Sequence, residues 1–333
     1  IFSRLKRYDD ACWQQEASAR VDHAHMMRDR VLPDQIHNFA HNNEWLIRNL
    51  NFVGRTQDAV DLAKNMIELP RHPKYNTLAK RGSSGFGRER LFETLSLFER
   101  WDEMIGLCQT PYLEATDDEK EQSARLRYLG QAYFRKGDAE NGAVQLAELQ
   151  KRHQEAEQKR DKAAADAKEQ ATQKAYDQAK IDEAIAAAET KAKDDGGDDE
   201  AIAKAKSEAE TSTREAQVKD KQKDIDKASA DAKKPFETTI KELEPAIAEL
   251  EGLQAVAAGD AKKAVPLLKR ARGIDTMYVQ HIRLLAEETE EAIKDAQKHV
   301  NSHKNEVQPL AMLTELLWKA DKKDDAKNSF EQL

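Results

Sequence analysis

From residue 151 to residue 234 the chain contains no Leu, Phe, Trp or Met, and Tyr176 is the only aromatic there. About three quarters of these residues are charged or alanine, with 19 Lys and Arg against 21 Asp and Glu. A segment of this kind cannot assemble a hydrophobic core of its own, because apolar burial is what offsets the entropy of ordering a chain. Ala, Lys and Glu are strong helix formers, so its preference is for long helix. Asp194-Asp195-Gly196-Gly197-Asp198-Asp199 interrupts that preference with the strongest helix-breaking signal in the chain. Partial heptad spacing flanks the break. It runs through Ala164, Ala167 and Ala171, then Ile181, Ala184 and Ala188, and on the far side through Ile202, Ala205, Ala209 and Ala216. The expectation is an antiparallel helical hairpin or coiled coil, with arms of about 40 residues and a reach of roughly 60 Å. A charged, disordered spacer is the alternative.

Outside this segment apolar residues return at helical spacing. Trp45, Leu46, Leu50 and Val53 fall on one face, as do Leu91, Leu95 and Phe98. Leu243, Ile247 and Leu250, then Val265, Leu267 and Leu268, and finally Leu310, Leu313, Leu316, Leu317 and Trp318 continue the pattern. No period-2 alternation is sustained, and 13 Gly with 8 Pro are too few for an all-β fold. No apolar run approaches the ~20 residues of a membrane span, so no membrane insertion is expected and the chain reads as soluble, cytoplasmic or periplasmic. Breaks fall at Leu32-Pro33-Asp34, between Pro70 and Pro73, and across Arg81 to Gly87, a stretch that reads as a glycine- and serine-rich loop. The chain opens on Ile1-Phe2-Ser3 without an initiator Met and stops on Phe330-Glu331-Gln332-Leu333 within a helical pattern, so a piece of a longer protein is expected.

A short phrase recurs in the apolar regions: a turn, a few polar residues, then a small residue inside a second helix. It appears at Lys6 to Ala11, Gly54 to Ala59, Glu99 to Met104, Gly137 to Gly142, Gly259 to Ala264 and Asp321 to Ala326, with a weaker copy ending at Ala292. Glycine allows the tight turn, and the small residue lets two helices approach closely. The phrase resembles the tetratricopeptide repeat, a helix–turn–helix unit of about 34 residues that stacks into a right-handed solenoid. Leu129-Gly130-Gln131-Ala132-Tyr133, with Gly137 and Leu146, matches the family's Leu-Gly-x-x-Tyr and turn-glycine positions. Leu46, Leu50, Gly54 and Ala59 match as well, as do Leu313, Ala326 and Phe330. More loosely, the helix from His37 to Leu46 is similar to the aromatic-rich His-Asn helix of certain bacterial solenoids, a likeness that carries a fold and no chemistry.

Successive small residues lie 48, 45 and 38 apart before the charged segment, 122 across it, and 28 and 34 after it. A gap of 122 matches one 38-residue repeat with an 84-residue insertion. The resemblance therefore implies an all-α helix–turn–helix repeat solenoid interrupted by a long charged hairpin. Its repeats would cover 1–150 and 235–333, with the hairpin or spacer over 151–234 and its turn near 194–199.

The family binds its partners on the concave face lined by the first helix of each pair. Carried onto matching positions, that implies His41, Glu44, Arg48 and Asn51 in one repeat, and Arg127, Gln131 and Arg135 in another. Arginines placed this way hold peptide carboxylates bidentately. The expected role is a non-catalytic scaffold for a protein or peptide partner. The alternative is an accessory repeat region of a larger enzyme whose redox or hydrolase domain lies outside this chain.

Other chemistry is weaker. His37 and His41 stand four apart near His23, His25 and Glu44, but Asn38 occupies the position where a zincin needs Glu, and no metal site is nominated. Cys12 and Cys108 lack any paired spacing and read as structural thiols. Ser83 and Ser84 lack the Gly-Lys-Ser/Thr of a phosphate loop, so no cofactor is implied. Lys80, Arg81, Arg88 and Arg90, with Arg71 and Lys74 upstream, form the clearest basic cluster and read as a solvated connection. A net charge of -8 speaks against nucleic acid as the partner.

Overall fold

The computed structural model describes residues 1–77, 80–303 and 306–333. Among these residues there are fifteen α-helices, two 3-10 turns and no strand, and one isolated bridge joins Thr77 to Lys80. No helix among them is long and apolar enough to cross a membrane. Two compact units emerge: residues 1–150 with 245–333, and residues 151–244.

In chain order the helices are α1 (Tyr8–Asp29), α2 (Phe39–Phe52), α3 (Thr56–Glu68), α4 (Ser83–Leu97), α5 (Trp101–Leu107), α6 (Glu119–Arg135) and α7 (Ala139–Ala175). Then follow α8 (Gln178–Asp194), α9 (Asp199–Asp220), α10 (Gln222–Ala257), α11 (Ala261–Leu268), α12 (Thr276–Leu285), α13 (Thr289–Ser302), α14 (Val307–Lys319) and α15 (Lys323–Phe330).

The first unit is built on one turn used seven times. Lys6, Gly54, Glu99, Gly137, Gly259, Glu287 and Asp321 all have positive φ, between 53° and 83°. The next residue's N–H then donates to a carbonyl five positions back: Arg55 to Leu50 at 2.9 Å, Arg100 to Leu95 at 2.8 Å, and Asp138 to Tyr133 at 2.9 Å. Arg7, Asp260, Glu288 and Lys322 do the same. This six-to-one bond satisfies a carbonyl that the helix end leaves open and reverses the chain within a few residues. Five residues after each left-handed residue comes the buried small position: Ala11, Ala59, Met104, Gly142, Ala264, Ala292 and Ala326. Met104 departs from the pattern and is fully buried all the same. Glycine is therefore one solution to this turn and not a requirement of it.

Consecutive helices pack on one another, α1 on α2 through α5 on α6, and α11 on α12 through α14 on α15. Alternate helices also meet, α2 with α4, α4 with α6, and α12 with α14. Leu46, Ile47, Val60, Met66, Leu91, Leu95 and Met104 fill the larger core, and Ala292, Ala296, Leu313 and Leu316 a second one. The C-terminal part of α10 takes up the place beside α6. A Cβ on Gly130 would come within 2.6 Å of Leu250, so only glycine permits this approach.

The second unit is an antiparallel helical hairpin. The amide of Asp177 meets Gln217, Glu189 meets Lys206 at 2.8 Å, and Ser229 bonds to the carbonyl of Ala164 at 3.1 Å, so positions rise on one arm as they fall on the other. Its turn lies between Asp194 and Asp199, where Gly196 has φ 73° and Gly197 donates back to Ala192. Burial is thin, as an alanine seam dictates: Ala156, Ala164, Ile181 and Ile225 are buried, and α9 buries no residue. Ala216, expected in the seam, is exposed, and Thr213, Gln217 and Val218 are half-buried instead. Pro235, expected to open the C-terminal repeats, lies inside α10, and the first unit resumes at Pro245.

Candidate functional site

The stretch from Gly82 to Gly87 is the start of α4 and not a loop. Gly82 is the N-cap, and Ser83 and Ser84 are 1% and 3% exposed. The reason lies far away in sequence. Asp34 accepts from the Ser83 N–H at 2.9 Å, the Ser83 hydroxyl at 3.1 Å and the His72 N–H at 3.2 Å. One carboxylate thus serves two backbone donors and a hydroxyl at the helix start, where the dipole favours negative charge. Burial raises the Asp34 carboxyl, but the bonds from Ser83 and His72 outweigh it and hold it below the usual carboxylate range.

Two members of the basic cluster are likewise engaged inside the fold. Arg88 donates to the carbonyls of Tyr112 and Glu114 at 2.8 and 2.7 Å and pairs with Glu121 at 3.4 Å. Arg90 pairs with Glu44 at 2.7 Å and with Glu93, and Arg81 with Glu89. Arg88 and Arg90 are buried, whereas Arg71, Lys74, Lys80 and Arg81 are exposed, so the solvated connection expected here holds for four of the six.

The seven groove residues sit on α2 and α6, and most of their side chains bond to neighbouring helices. Glu44 on α2 holds Arg90 on α4, and Asn51 bonds to the buried Thr94 hydroxyl at 3.0 Å. Ser96 on α4 donates to Gln131 on α6 at 2.9 Å. Arg127 on α6 donates to Glu249 on α10 at 2.6 Å, and Arg135 pairs with Glu99 while its guanidinium lies 4.0 Å from the Tyr278 ring centre. His41 and Arg48 remain exposed, both against Trp45. The structure thus brings these positions into one polar ladder, in which Glu44, Asn51, Arg127 and Gln131 already have partners.

A half-open cleft of about 930 Å³ lies between α4 and α6. Of the groove residues, Arg127 alone lines it. Its sides carry small residues, Ser84 and Gly85 on α4 and Ala124 on α6. At its floor the Phe92 and Tyr128 rings stack with centres 5.0 Å apart and planes 6° from parallel. The Arg127 guanidinium lies 4.7 Å from the Tyr128 ring centre, an arrangement that favours the cation. Arg71, Asn76 and Thr77 form part of one rim, and Glu114, Thr116 and Asp117 part of the other. Neither histidine nor cysteine lines the cleft.

Below the floor, Glu249 is fully buried, and its Oε1 and the Nη2 of Arg127 have no hydrogen-bond partner. Burial pushes the Glu249 carboxyl up, and Arg127 pulls it back in part.

The remaining candidates resolve simply. Among the described residues no group of three or more His, Cys, Asp or Glu is placed to hold a metal. Cys12 and Cys108 are buried and unpaired, and burial pushes the Cys108 thiol up to about 11. Comparison with known proteins returns no match, whether to a family model, a curated protein or a solved structure.

Proposed function

We propose that this chain is a non-catalytic interaction scaffold, an irregular tetratricopeptide-like solenoid that holds a segment of a partner protein between α4 and α6. Two features support the repeat reading. Seven turns share one hydrogen-bond pattern at the spacing of the recurring phrase, and first helices meet first helices. In this reading the charged hairpin is an insertion within the array and a spacer or second contact arm.

The observation that carries the binding role is the cleft itself. An open channel of about 930 Å³, rimmed by amides, hydroxyls and charges of both signs over an aromatic floor, suits a peptide's polar backbone and its side chains. The ladder residues act in this scheme by fixing the distance between the first helices.

The test begins with affinity capture on the native chain and identification of what is retained. Binding of the purified partner is then measured by calorimetry to the native chain and to Ala124→Trp, which fills the cleft without touching the ladder. A loss of at least about tenfold, roughly 1.4 kcal/mol, is expected. Equal binding by both chains would remove the case for this cleft.

A further inference from the structure

We propose that the second unit carries a hinge at the level of Tyr176 and Lys221, about which its distal half, α8 with α9, bends against its proximal half. Both arms are interrupted there. On one arm α7 stops at Ala175 and α8 starts at Gln178, with Asp177 leaving helical geometry at φ -97°, ψ 98°. Tyr and Asp are weak helix formers, and Asp177 caps α8 by accepting from the Lys180 N–H. On the other arm α9 stops at Asp220 and α10 starts at Gln222, with Lys221 at φ -96°, ψ 7°.

The two interruptions lie about one helical turn apart across the hairpin, Asp177 opposite Gln217 in the last turn of α9. The Asp177 N–H donates to the Gln217 side-chain carbonyl at 3.0 Å, and the Gln217 amide donates back to the Asp177 carbonyl at 3.3 Å. A break in one arm alone would be splinted by an intact partner, whose ladder of backbone bonds resists bending. Here neither arm offers that splint.

Packing is also thin at this level. Ala164 and Ile225 are buried on the proximal side and Ile181 on the distal side, with no buried residue between Ala164 and Ile181 or between the turn and Ile225. An open surface groove of about 510 Å³ lies beside Tyr176, Val218 and Gln222. What bridges it is polar: the Gln217 amide and the Arg214 guanidinium, 4.7 Å from the Tyr176 ring centre. Exposed contacts of this kind re-form readily in more than one arrangement, unlike a close-packed layer. The tip at Asp194 to Asp199 therefore sweeps a range of directions from one proximal stem.

The experiment is a pair of distance distributions from spin labels on the full chain, whose two native thiols are buried. Labels at Glu155→Cys and Glu169→Cys lie within one helix segment and are expected to give a narrow peak near 21 Å. Labels at Glu169→Cys and Thr190→Cys span the hinge, and a straight helix would hold them about 31 Å apart. A broad distribution shifted below that value is expected, and Gln217→Ala should broaden it further. A spanning distribution as narrow as the control, unmoved by Gln217→Ala, would overturn the hinge. Amide exchange gives an independent readout: residues 175–178 and 220–223 should exchange at least tenfold faster than their neighbours, and uniform protection through them would count equally against it.

Discussion

Gly137 and Glu287 occupy the same turn with φ 83° and 67°, and only one of them is suited to it. A left-handed conformation is strained for a residue bearing a Cβ and free for glycine. Nothing lies within 4 Å of a Cβ built on Gly137, so Gly137→Ala should cost about 1 kcal/mol through the backbone alone, seen as a lower urea midpoint. Glu287→Gly should move the thermal midpoint upward by about 2 °C, because the exposed pair it gives up with Lys262 contributes little. A second prediction concerns Arg127 and Glu249. Arg127→Ala strands a buried carboxylate and should destabilise by about 3–5 kcal/mol, whereas Arg127→Met with Glu249→Leu should be nearly neutral. Denaturant titrations of the three chains separate these outcomes. The turn was legible as a phrase because its polar residues repeat. That four of seven copies use Lys, Glu or Asp at the left-handed position was not, since those residues carry no conformational signature.

At the scale of the element, α4 shows why local reading has a limit. Gly82, Gly85 and Gly87 with two serines lower helix propensity enough to look like a loop. The helix starts there because Asp34, 49 residues earlier in the chain, supplies the acceptor for its first turn. Asp34→Ala should therefore cost about 1–2 kcal/mol at neutral pH. The sign with pH follows from the lowered folded value. Asp34's contribution is present above the unfolded carboxylate pKa and is lost as pH falls through the lower folded one. Urea titrations at pH 7 and near pH 3 should show the difference between native and Asp34→Ala chains shrinking on acidification. The hairpin, by contrast, was legible almost whole. Its composition, its Gly196-Gly197 turn and its alanine spacing are local properties, whereas Ala216, the boundary at Pro235 and the breaks at Tyr176 and Lys221 were not foreseen.

At the scale of the molecule, the first unit comprises 1–150 and 245–333, and Gln150 donates to Glu251 at 3.0 Å across the point where the insertion leaves and returns. Replacing residues 151–244 with a short Gly-Ser linker should therefore leave the first unit folded, with helical circular dichroism falling only by the insertion's share and a cooperative melt retained. Loss of that melt would show that the hairpin is needed for the first unit to fold. The cleft between α4 and α6 was legible only in part. Arg127 was named from its motif position, but Phe92 and Tyr128 come together through stacking of two helices that no local pattern relates. Seen from the first unit, residues 151–244 are a loop whose ends must meet. Left flexible, a loop of that length costs roughly 4 kcal/mol of closure entropy beyond a constant. Were it to zip from its own Gly-Gly turn first, it would bring Gln150 toward Pro245 before the flanking helices dock. A contact remote in sequence would then become a neighbour early in folding, and the insertion would act as a clasp that shortens the search.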